Sequence, residues 1–559
     1  MSNFKVGYSG LPLKKNNLTK LKITGITSEG SGVGKTESGF TVFVNSTAPG
    51  DVITAKIIKP GKTYAIGIVE EFAEKSPARI NPDCEHFAQC GGCAYRHINY
   101  GEELRIKQQQ VEDALQRIGG IDTKTELKMN KIVGADGNTN AYRNKVQLPF
   151  GTNQQGKVIT GYYAYHSHRV VDCCNCLLNP PIFNEIAEFA RDFANTHSLR
   201  VYDENTRKGL LRHLYIRQGY KTDQIMVCLV LNAGGFRQES EFAAELTASF
   251  AQVSSVAINT NRENTNVILG RQNRILFGKE HIATQLFGLE FSLSPLSFFQ
   301  VNPQQTEKLY AIAQEFAALT KDDILLDLYC GIGSIGLTLA AQCKKVIGVE
   351  IIPSAVKNAT ANAQHNNITN AEFICADASS AAASFAKSGL LPNVVIIDPP
   401  RKGCTPEVLA AIVQMHPKKI VYVSCNPSTL ARDLKILAQS GYTAVAATPV
   451  DMFPRTAHVE TVVLLSKLKS AQSIEVEIEL DDMDLTTSES KAIYAEIKQY
   501  VLDKTGLKVS QLYIGQVKRK HGIIERINYN LGEGKAKIPQ VPPEKEKAIE
   551  DALKHFKMI

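Results

Sequence analysis

Two residues in the last third of the chain could together carry out covalent catalysis. Cys425 follows the apolar segment KIVYVS and precedes Asn426-Pro427, which predicts an accessible thiol at a strand end, although a lone cysteine is more often a small buried residue. Addition of a thiolate to C6 of a pyrimidine makes C5 nucleophilic enough to take a methyl group, and a base must then remove the C5 proton. Glu460 precedes the apolar segment TVVLLSKL and is the candidate base, with a surface carboxylate as the alternative.

Acidic residues follow four apolar segments in succession, as they would at the edge of a parallel sheet. They are Asp327, Glu350, Asp377 and Asp398. Ligands of open α/β sheets bind beyond the carboxyl ends of the strands. The first of these acids opens the segment DLYCGIGSIG, whose G-x-G-x-x-G array occurs in dinucleotide sites and in S-adenosylmethionine sites. An acid at this position crowds a pyrophosphate but suits the ammonium of a methionine group, so the pattern favours S-adenosylmethionine, with turn capping as the alternative.

Two groups of cysteines have the spacing of metal ligands. Of the twelve cysteines, six are grouped as Cys84, Cys90 and Cys93 and as Cys173, Cys174 and Cys176. The first group has the pattern C-x5-C-x2-C and needs a fourth ligand from elsewhere in the chain. From spacing alone, a structural zinc and an iron–sulfur cluster are equally compatible with it, and three unrelated buried cysteines are the third alternative.

The strands and helices that would position these residues belong to three predicted domains, which follow an N-terminal tail at 1–17. Residues 18–76 show short alternating stretches between glycine turns, which is typical of a small OB-like β-barrel that binds oligonucleotides, with a solvated surface as the alternative. Residues 77–290 predict a mixed α+β domain with an amphipathic helix over 102–118. Residues 291–468 alternate apolar strands with helices, which predicts an α/β fold with a doubly wound, Rossmann-like parallel sheet.

The tail at 474–559 predicts a small α+β extension. Its IEVEIEL segment alternates like a half-exposed strand, and Thr486 with Glu489 forms a capping box for a helix. A second helical pattern follows and contains the basic run KRK at 518–520. This run is either a binding surface or, more commonly for such runs, a solvated face.

The composition excludes some classes of function. The 559 residues exceed one hydrophobic core, and 43% apolar residues with a net charge of +7 fit a soluble chain with a mild preference for a polyanionic partner. No run of about 18 apolar residues is present, so no transmembrane helix is expected. The N-terminal segment MSNFKVGYSG lacks the layout of a signal peptide, so we expect a cytoplasmic protein.

Five motifs together resemble those of the RNA uracil-5 methyltransferases that act on 23S rRNA and tRNA. The motifs are SFFQVNPQQ, DLYCGIGSIGL, IDPPRKGC, SCNPSTLARDL and HVETVVLL. The resemblance covers residues 18–468 and implies a class I methyltransferase domain at 291–468, with S-adenosylmethionine as the methyl donor. It also implies that the barrel at 18–76 is a TRAM domain, which binds RNA.

The same resemblance implies a role for individual residues. Cys425 would be the nucleophile and Glu460 the base that removes the C5 proton. The positions that contact the cofactor would be Gln300, Tyr329, Glu350, Asp377 and Asp398. Asp398 would also hold the uracil edge. Phe298 matches the position of an aromatic side chain that stacks on the target base, and Arg143, in the segment YRNKVQ, matches a position that contacts RNA.

The cysteines resemble the 4Fe-4S pattern of the branch that acts on rRNA. In HSHRVVDCCNCLL, Asp172 and Cys176 match the D-x-x-x-C spacing of that branch. The expected ligands are therefore Cys84, Cys90, Cys93 and Cys176. Cys173 or Cys174 is the alternative fourth ligand, and zinc is the alternative metal. The barrel and the cluster favour 23S rRNA over tRNA as the partner, and we expect a monomer that acts on RNA and not on DNA or at a membrane.

Two other classes of function compete with this interpretation. An RNA cytosine-5 methyltransferase uses the same thiolate chemistry, but its nucleophile stands in a Pro-Cys or Thr-Cys context, unlike Ser424-Cys425. An RNA-binding or ribosome-assembly protein with an inactive methyltransferase fold would be expected to lack Cys425, Glu460 or the strand-end acids. All of these residues are present.

Overall fold

The computed structural model describes residues 13–467, 494–521, 541–556 and 558–559. The chain divides into two compact units, Met1–Ser470 and Ala471–Ile559. The predicted IEVEIEL strand and the capping box of Thr486 and Glu489 lie outside the described residues.

The first unit begins with a closed five-stranded barrel, which confirms the predicted barrel. Its strands are β1 Leu18–Ile26, β2 Gly32–Lys35, β3 Thr41–Val44, β4 Val52–Lys59 and β5 Tyr64–Glu74, in the order β1-β2-β3-β5-β4. Alternate side chains such as Leu21 and Ile53 fill the interior, because successive residues of a strand point to opposite faces. A side chain at Gly30, whose φ is +89°, would collide with Ala94 at 2.7 Å. The barrel therefore packs directly against the segment that follows Cys93.

A helix and a seven-stranded sheet form the middle of this unit. Helix α1, Tyr100–Ala114, continues as the π-helical turn Leu115–Gly119, in the region where an amphipathic helix is predicted. The short strand β6, Lys128–Met129, follows. The strands of the sheet are β7 Lys145–Thr152, β8 Val158–Tyr163, β9 Val170–Asp172, β10 Leu211–Gln218, β11 Ile225–Leu231, β12 Val253–Thr260 and β13 Gln272–Gly278, and its helices are α2 Pro181–Thr196 and α3 Glu239–Ser249. The strand order is β13-β12-β11-β10-β7-β8-β9, and apolar side chains of both helices pack on the sheet.

A second large sheet carries the strand-end residues. A hairpin of β14 Ile282–Leu286 and β15 Leu289–Leu293 precedes it. Its strands are β16 Ile324–Leu328, β17 Lys345–Glu350, β18 Ala371–Cys375, β19 Val394–Ile397, β20 Lys419–Ser424, β21 Tyr442–Val450 and β22 Glu460–Lys467. The helices around it are α4 Pro303–Ala317, α5 Ser334–Leu339, α6 Pro353–His365, α7 Ala378–Ser388, α8 Pro406–Gln414 and α9 Pro427–Gln439.

The order of this sheet, β18-β17-β16-β19-β20-β22-β21-β6, with an apolar cluster on each face, confirms the predicted doubly wound fold. Two features differ from the expected parallel sheet. The sequence pattern does not predict β21, and β22 runs antiparallel to both β20 and β21. Since an antiparallel strand begins where its parallel neighbours end, Glu460 comes to the same edge of the sheet as Cys425.

The second unit has three helices among its described residues, α10 Tyr494–Thr505, α11 Gln511–Lys520 and α12 Pro543–His555. Apolar side chains of these helices, such as Ile497 and Ile549, form a core of their own. In the predicted basic run, Lys518 is buried while Arg519 and Lys520 are exposed, so only part of the run is a solvated face. No helix in the part of the chain that the structure describes is long and apolar enough to cross a membrane.

Candidate active site and cysteine pocket

Cys425 occupies the connection between β20 and α9. The strand ends at Ser424, and Asn426 caps the helix by accepting hydrogen bonds from the N–H groups of Ser428 and Thr429. This turn leaves Cys425 half-buried at the wall of a cavity with a volume of about 890 Å³. The barrel, α1 and the segment around Cys90 and Cys93 line the other walls. A ligand in this cavity would therefore reach the Cys425 thiol.

Two carboxyl groups and one guanidinium surround this thiol. Burial, together with the nearby carboxylates of Glu460 and Asp398, raises the pKa of Cys425 to about 11, while Arg401 acts in the opposite direction. Glu460 is 3% exposed, and burial together with Asp398 raises its pKa to about 8. Burial raises the pKa of Asp398 to about 7. The structure thus places two carboxyl groups beside the thiol, and both carboxyl groups can hold or release a proton near neutral pH.

Arg401 is a functional candidate that the sequence analysis does not single out. Its guanidinium hydrogen-bonds Nδ1 of His458 at 3.0 Å, and its backbone carbonyl accepts a hydrogen bond from the Asn426 side chain. Its positive charge counteracts the rise in the pKa of both Cys425 and Glu460. The signal available in the sequence is its place directly after the strand-end diproline of IDPPRKGC.

The loop between β16 and α5 has the shape of a ligand-binding turn. Tyr329, Gly331 and Gly333 have positive φ angles, which is uncommon for a tyrosine and marks a constrained backbone. Asp327 is buried behind this loop, where its Oδ2 accepts a hydrogen bond from the Gly336 N–H at 2.9 Å. Its Oδ1 is buried and has no hydrogen-bond partner among the described residues, and burial raises the pKa of this carboxyl to about 7.

Glu350 and Asp377 follow at the ends of β17 and β18. Glu350 accepts hydrogen bonds from the N–H of Gly331 at 3.1 Å and from the N–H of Ile352 at 2.9 Å, so its carboxylate stands beside the glycine loop. Asp377 is exposed and caps α7, and the hydrogen bond from the Ser379 hydroxyl lowers its pKa. Capping of α7 is therefore one role of the Asp377 carboxylate.

Phe298 and Gln300 lie on the loop between β15 and α4, which the seven-stranded sheet holds in place. The buried guanidinium of Arg217 donates to two carbonyl groups of this loop at 2.9 and 2.8 Å, and Asn144 Nδ2 donates to the Gln300 carbonyl at 3.0 Å. Gln300 is buried, whereas Phe298 is 63% exposed, with Lys145 Nζ 6.0 Å from its ring centre. The exposed ring is available to stack on a ligand.

The predicted metal ligands all lie around one small pocket. The cysteines that line it are Cys84, Cys90, Cys93, Cys173 and Cys176. Cys174 is directed elsewhere, to Arg191 and the Thr160 carbonyl. The neighbouring Cys173 thiol lowers the pKa of Cys176. Within the described ranges, no three His, Cys, Asp or Glu side chains are placed to hold a single metal ion.

Arg143 lies against the cysteine pocket. It lines the pocket together with Tyr162, and its Nε is buried without a hydrogen-bond partner in the described part of the chain. It also borders a second cavity, which Asn144 and Gln218 line. The structure therefore places Arg143 beside the cysteine sulfurs and not among the residues that line the cavity at Cys425.

The three buried carboxyl groups each contribute stability that is lost as the pH rises. The pKa values of Asp327, Asp398 and Glu460 are raised from 3.8, 3.8 and 4.5 to about 7, 7 and 8, so the folded state binds more protons than the unfolded state in this window. Their contribution to the free energy of unfolding therefore falls from about pH 4 to about pH 8, by at most about 1.4 kcal/mol per pH unit for each group. His97, His213 and His458, whose pKa values burial lowers to about 4, act in the opposite direction below about pH 6.5. Each of the three carboxyl groups is therefore expected to lower the Tm at about pH 8 relative to the Tm at about pH 5.5, which a variant that lacks one of them can show.

The variant Asp327→Asn tests whether these buried carboxyl groups cause the pH dependence of stability. It removes one of the three carboxyl groups but keeps an acceptor for the Gly336 N–H. From about pH 5.5 to about pH 8, the Tm of this variant is expected to fall less, or to rise more, than the Tm of the wild type. Glu245→Gln, which removes an exposed carboxylate on α3, is the matched control and should keep the wild-type dependence. An unchanged dependence in Asp327→Asn would contradict the prediction.

The chain is similar in sequence to RNA methyltransferases. Residues 243–468 match the family described as tRNA (Uracil-5-)-methyltransferase, and residues 18–69 match the TRAM domain. An uncharacterized RNA methyltransferase of Clostridium tetani is 41% identical over 82% of this chain and 98% of the relative. Another, from Oceanobacillus iheyensis, is 40% identical over 81% of this chain and 98% of the relative.

A solved structure shares the fold of most of the chain. It is the Pyrococcus abyssi tRNA (uracil-54, C5)-methyltransferase in complex with S-adenosyl-L-homocysteine, which is 27% identical, with a TM-score of 0.64, over 80% of this chain and 99% of that chain. These similarities confirm the resemblance that the motifs indicate. The chain belongs to the RNA uracil-5 methyltransferase family.

Proposed function

We propose that this chain transfers a methyl group from S-adenosylmethionine to C5 of a uridine in RNA. The observation that carries the proposal is the meeting of Cys425, Glu460 and Asp398 at one edge of the sheet, where Cys425 borders a cavity of a size that suits a nucleotide. The TRAM barrel forms another wall of that cavity and supports RNA as the partner.

The methyl donor fits the loop between β16 and α5. The unpartnered Oδ1 of Asp327 is a buried acceptor that the ammonium of a methionine group would satisfy. Glu350 would accept hydrogen bonds from the ribose hydroxyl groups, and Gln300 and Tyr329 would border the same site. Asp377 would meet the adenine edge while it caps α7. When bound, S-adenosylmethionine supplies an electrophilic methyl group at this edge of the sheet.

Cys425 begins the proposed reaction by adding to C6 of the uracil ring, and the thiol proton passes to the Asp398 carboxylate. Asp398 in its protonated form donates a hydrogen bond to the C4 oxygen, where negative charge develops. C5 then takes the methyl group. Glu460 in its ionised form removes the C5 proton, the C6–S bond breaks, and Cys425 leaves as a thiolate. Asp398 returns its proton to the Cys425 thiolate. The net change is replacement of the C5 hydrogen by a methyl group, with release of S-adenosylhomocysteine and one proton.

We also propose that Cys84, Cys90, Cys93 and Cys176 hold a 4Fe-4S cluster. Four thiolates suit a zinc ion or a cluster, and these four cysteines line one pocket. A cluster binds each thiolate to a different iron, so the sulfurs can lie farther apart. The unpartnered Arg143 Nε beside the pocket complements the negative charge of thiolates. The cluster would join two distant segments of the chain and takes no part in methyl transfer.

Cys176→Ser is expected to reduce the bound iron and acid-labile sulfide, whereas Cys174→Ser, the matched control, is expected to keep both. The reason is that Cys176 lines the pocket while Cys174 is directed away from it. The measurement is the content of iron, sulfide and zinc per chain in protein purified without oxygen. Zinc without sulfide would support the alternative metal, and loss of iron in Cys173→Ser but not in Cys176→Ser would assign the fourth ligand to Cys173.

We propose 23S rRNA as the substrate, because the chain combines the TRAM barrel with a four-cysteine set that resembles the family branch acting on rRNA. The solved relative is a tRNA (uracil-54, C5)-methyltransferase, so tRNA is the second candidate. Unmodified 23S rRNA and tRNA, incubated with the protein and labelled S-adenosylmethionine and then digested to nucleosides, decide between them. Label in 5-methyluridine from 23S rRNA is the expected result, and label only in tRNA would transfer the proposal to tRNA. Label in cytidine, or in neither RNA, would overturn the proposed function.

A further inference from the structure

The connection at 451–459 joins β21 to β22 and ends directly before Glu460, the proposed base. Its residues from Thr456 to Val459 line the cavity that Cys425 borders. Whatever fixes this connection therefore also fixes the approach of Glu460 to a ring that is bound at Cys425.

Charged side chains without solvent exposure hold the start of the connection. The Lys107 ammonium donates to Glu103 at 2.8 Å and to Asp451 at 2.7 Å, and all three side chains are 0% exposed. Lys107 also donates to the Phe453 carbonyl at 3.1 Å, and the Tyr100 hydroxyl donates to Asp451 at 2.8 Å. Since Tyr100, Glu103 and Lys107 lie on α1, this helix holds the connection at two of its residues.

Arg455 is a third point of attachment. Its φ of 71° is uncommon for a residue other than glycine, so its backbone is held in a constrained position. Its N–H donates to Glu103 at 2.7 Å, and its carbonyl accepts hydrogen bonds from the N–H groups of Ala94 and Tyr95 at 2.9 and 3.0 Å. Ala94 directly follows Cys93, so Arg455 joins the connection both to α1 and to the cysteine segment.

A buried network of charges adds little to stability, because removing charges from water is costly. An apolar cluster of similar volume would stabilise the fold at least as well. The charged network is better suited to selecting one arrangement of the chain, since each charged partner has few acceptable positions. We propose that Tyr100, Glu103, Lys107, Asp451 and Arg455, the loop clamp, are positioning residues that hold Glu460 at the C5 proton. This inference rests on the proposed function, because it takes Glu460 as the base.

Lys107→Met, which removes the central cation of the loop clamp, tests the inference. Cys425 addition and methyl transfer should continue in this variant, but elimination should slow because Glu460 is displaced. We expect steady-state turnover to fall about 100-fold, the cost of a displacement of about 1 Å. A covalent RNA–protein species should accumulate on a denaturing gel, while the rate of methyl transfer in a single turnover changes little.

Lys107→Met leaves two buried carboxylates without their cation and can prevent folding, so Tyr100→Phe is the second variant. It removes one hydroxyl group and is expected to give the same covalent species in a smaller amount. Asn259→Ala is the matched control for lost stability, because Asn259 is buried and hydrogen-bonded within the seven-stranded sheet and does not contact the connection. No covalent species is expected with it.

The inference is overturned if the folded variants of the loop clamp slow methyl transfer and turnover equally and, like Asn259→Ala, form no covalent species. Glu460→Gln, assayed in parallel, separates this failure from a failure of the proposed function. A covalent species with Glu460→Gln but not with the loop-clamp variants rejects the positioning role alone. Its absence with Glu460→Gln rejects Glu460 as the base, and the inference with it.

Discussion

Cys425→Ala is expected to abolish methyl transfer to RNA, with a loss of at least about 10⁴-fold in kcat. Without the sulfur no bond to C6 forms, and C5 of the uracil ring stays too weak a nucleophile to take the methyl group. The substitution removes one atom at a half-buried position, so folding and binding of the donor should persist. Transfer of labelled methyl groups to RNA measures the loss, and titration with S-adenosylhomocysteine checks the donor site.

Cys343→Ala is the matched control for this experiment. Cys343 is also a lone cysteine, but it is buried just before β17, at the opposite edge of the sheet from Cys425. Full methyl transfer is expected with this variant. Persistent turnover by Cys425→Ala would remove Cys425 as the nucleophile, whatever the control does.

Glu460→Gln is expected to stop the reaction one step later and to trap the methylated RNA on the protein. Glutamine has the size of glutamate but cannot accept the C5 proton at this stage, so the C6–S bond stays intact. A loss of about 10²–10⁴-fold in kcat is expected, as for removal of other general bases. Accumulation of a covalent RNA–protein species on a denaturing gel, with mass spectrometry to show the added methyl group, is the measurement.

The double variant Cys425→Ala/Glu460→Gln is the control for the identity of the bond. It should form no covalent species, because the trapped bond is made by the Cys425 sulfur. If Glu460→Gln turned over at the wild-type rate, another group would have to remove the proton. Asp398 would then be the first residue to substitute, since it is the other carboxyl group beside the thiol.

The edge of the sheet that carries the candidate site could be predicted because buried parallel strands have a simple sequence pattern. Asp327, Asp398 and Cys425 each stand at or directly after the end of a continuous apolar run, and such runs are buried on both faces. The strand ends then meet at one edge whatever the loops do. The fold and the family are confirmed, while the roles of the individual residues stay predictions until the variants are measured.

Contacts between distant segments could not be predicted. The strand β21 consists largely of small residues and pairs with the two-residue strand β6. Next to this pair, the Asn130 side chain donates a hydrogen bond to the Thr448 hydroxyl, although the two residues are 318 positions apart. Arg143 resembles an RNA-contacting position in its motif, but its surroundings depend on where the cysteine segments fold. Asp377 caps the next helix because a carboxylate directly before a helix finds free N–H groups there.

The position of the barrel limits how this enzyme could be redirected to other RNAs. Exchange of a binding domain assumes that the domain and the catalytic part are separable, but the barrel residues Ser28 and Asn45 line the same cavity as Cys425. The tight approach of Gly30 to Ala94 would also have to be reproduced by any replacement. A foreign barrel would thus remove a wall of the cavity that Cys425 borders. Redesign of target choice would have to proceed by single substitutions on the barrel surface.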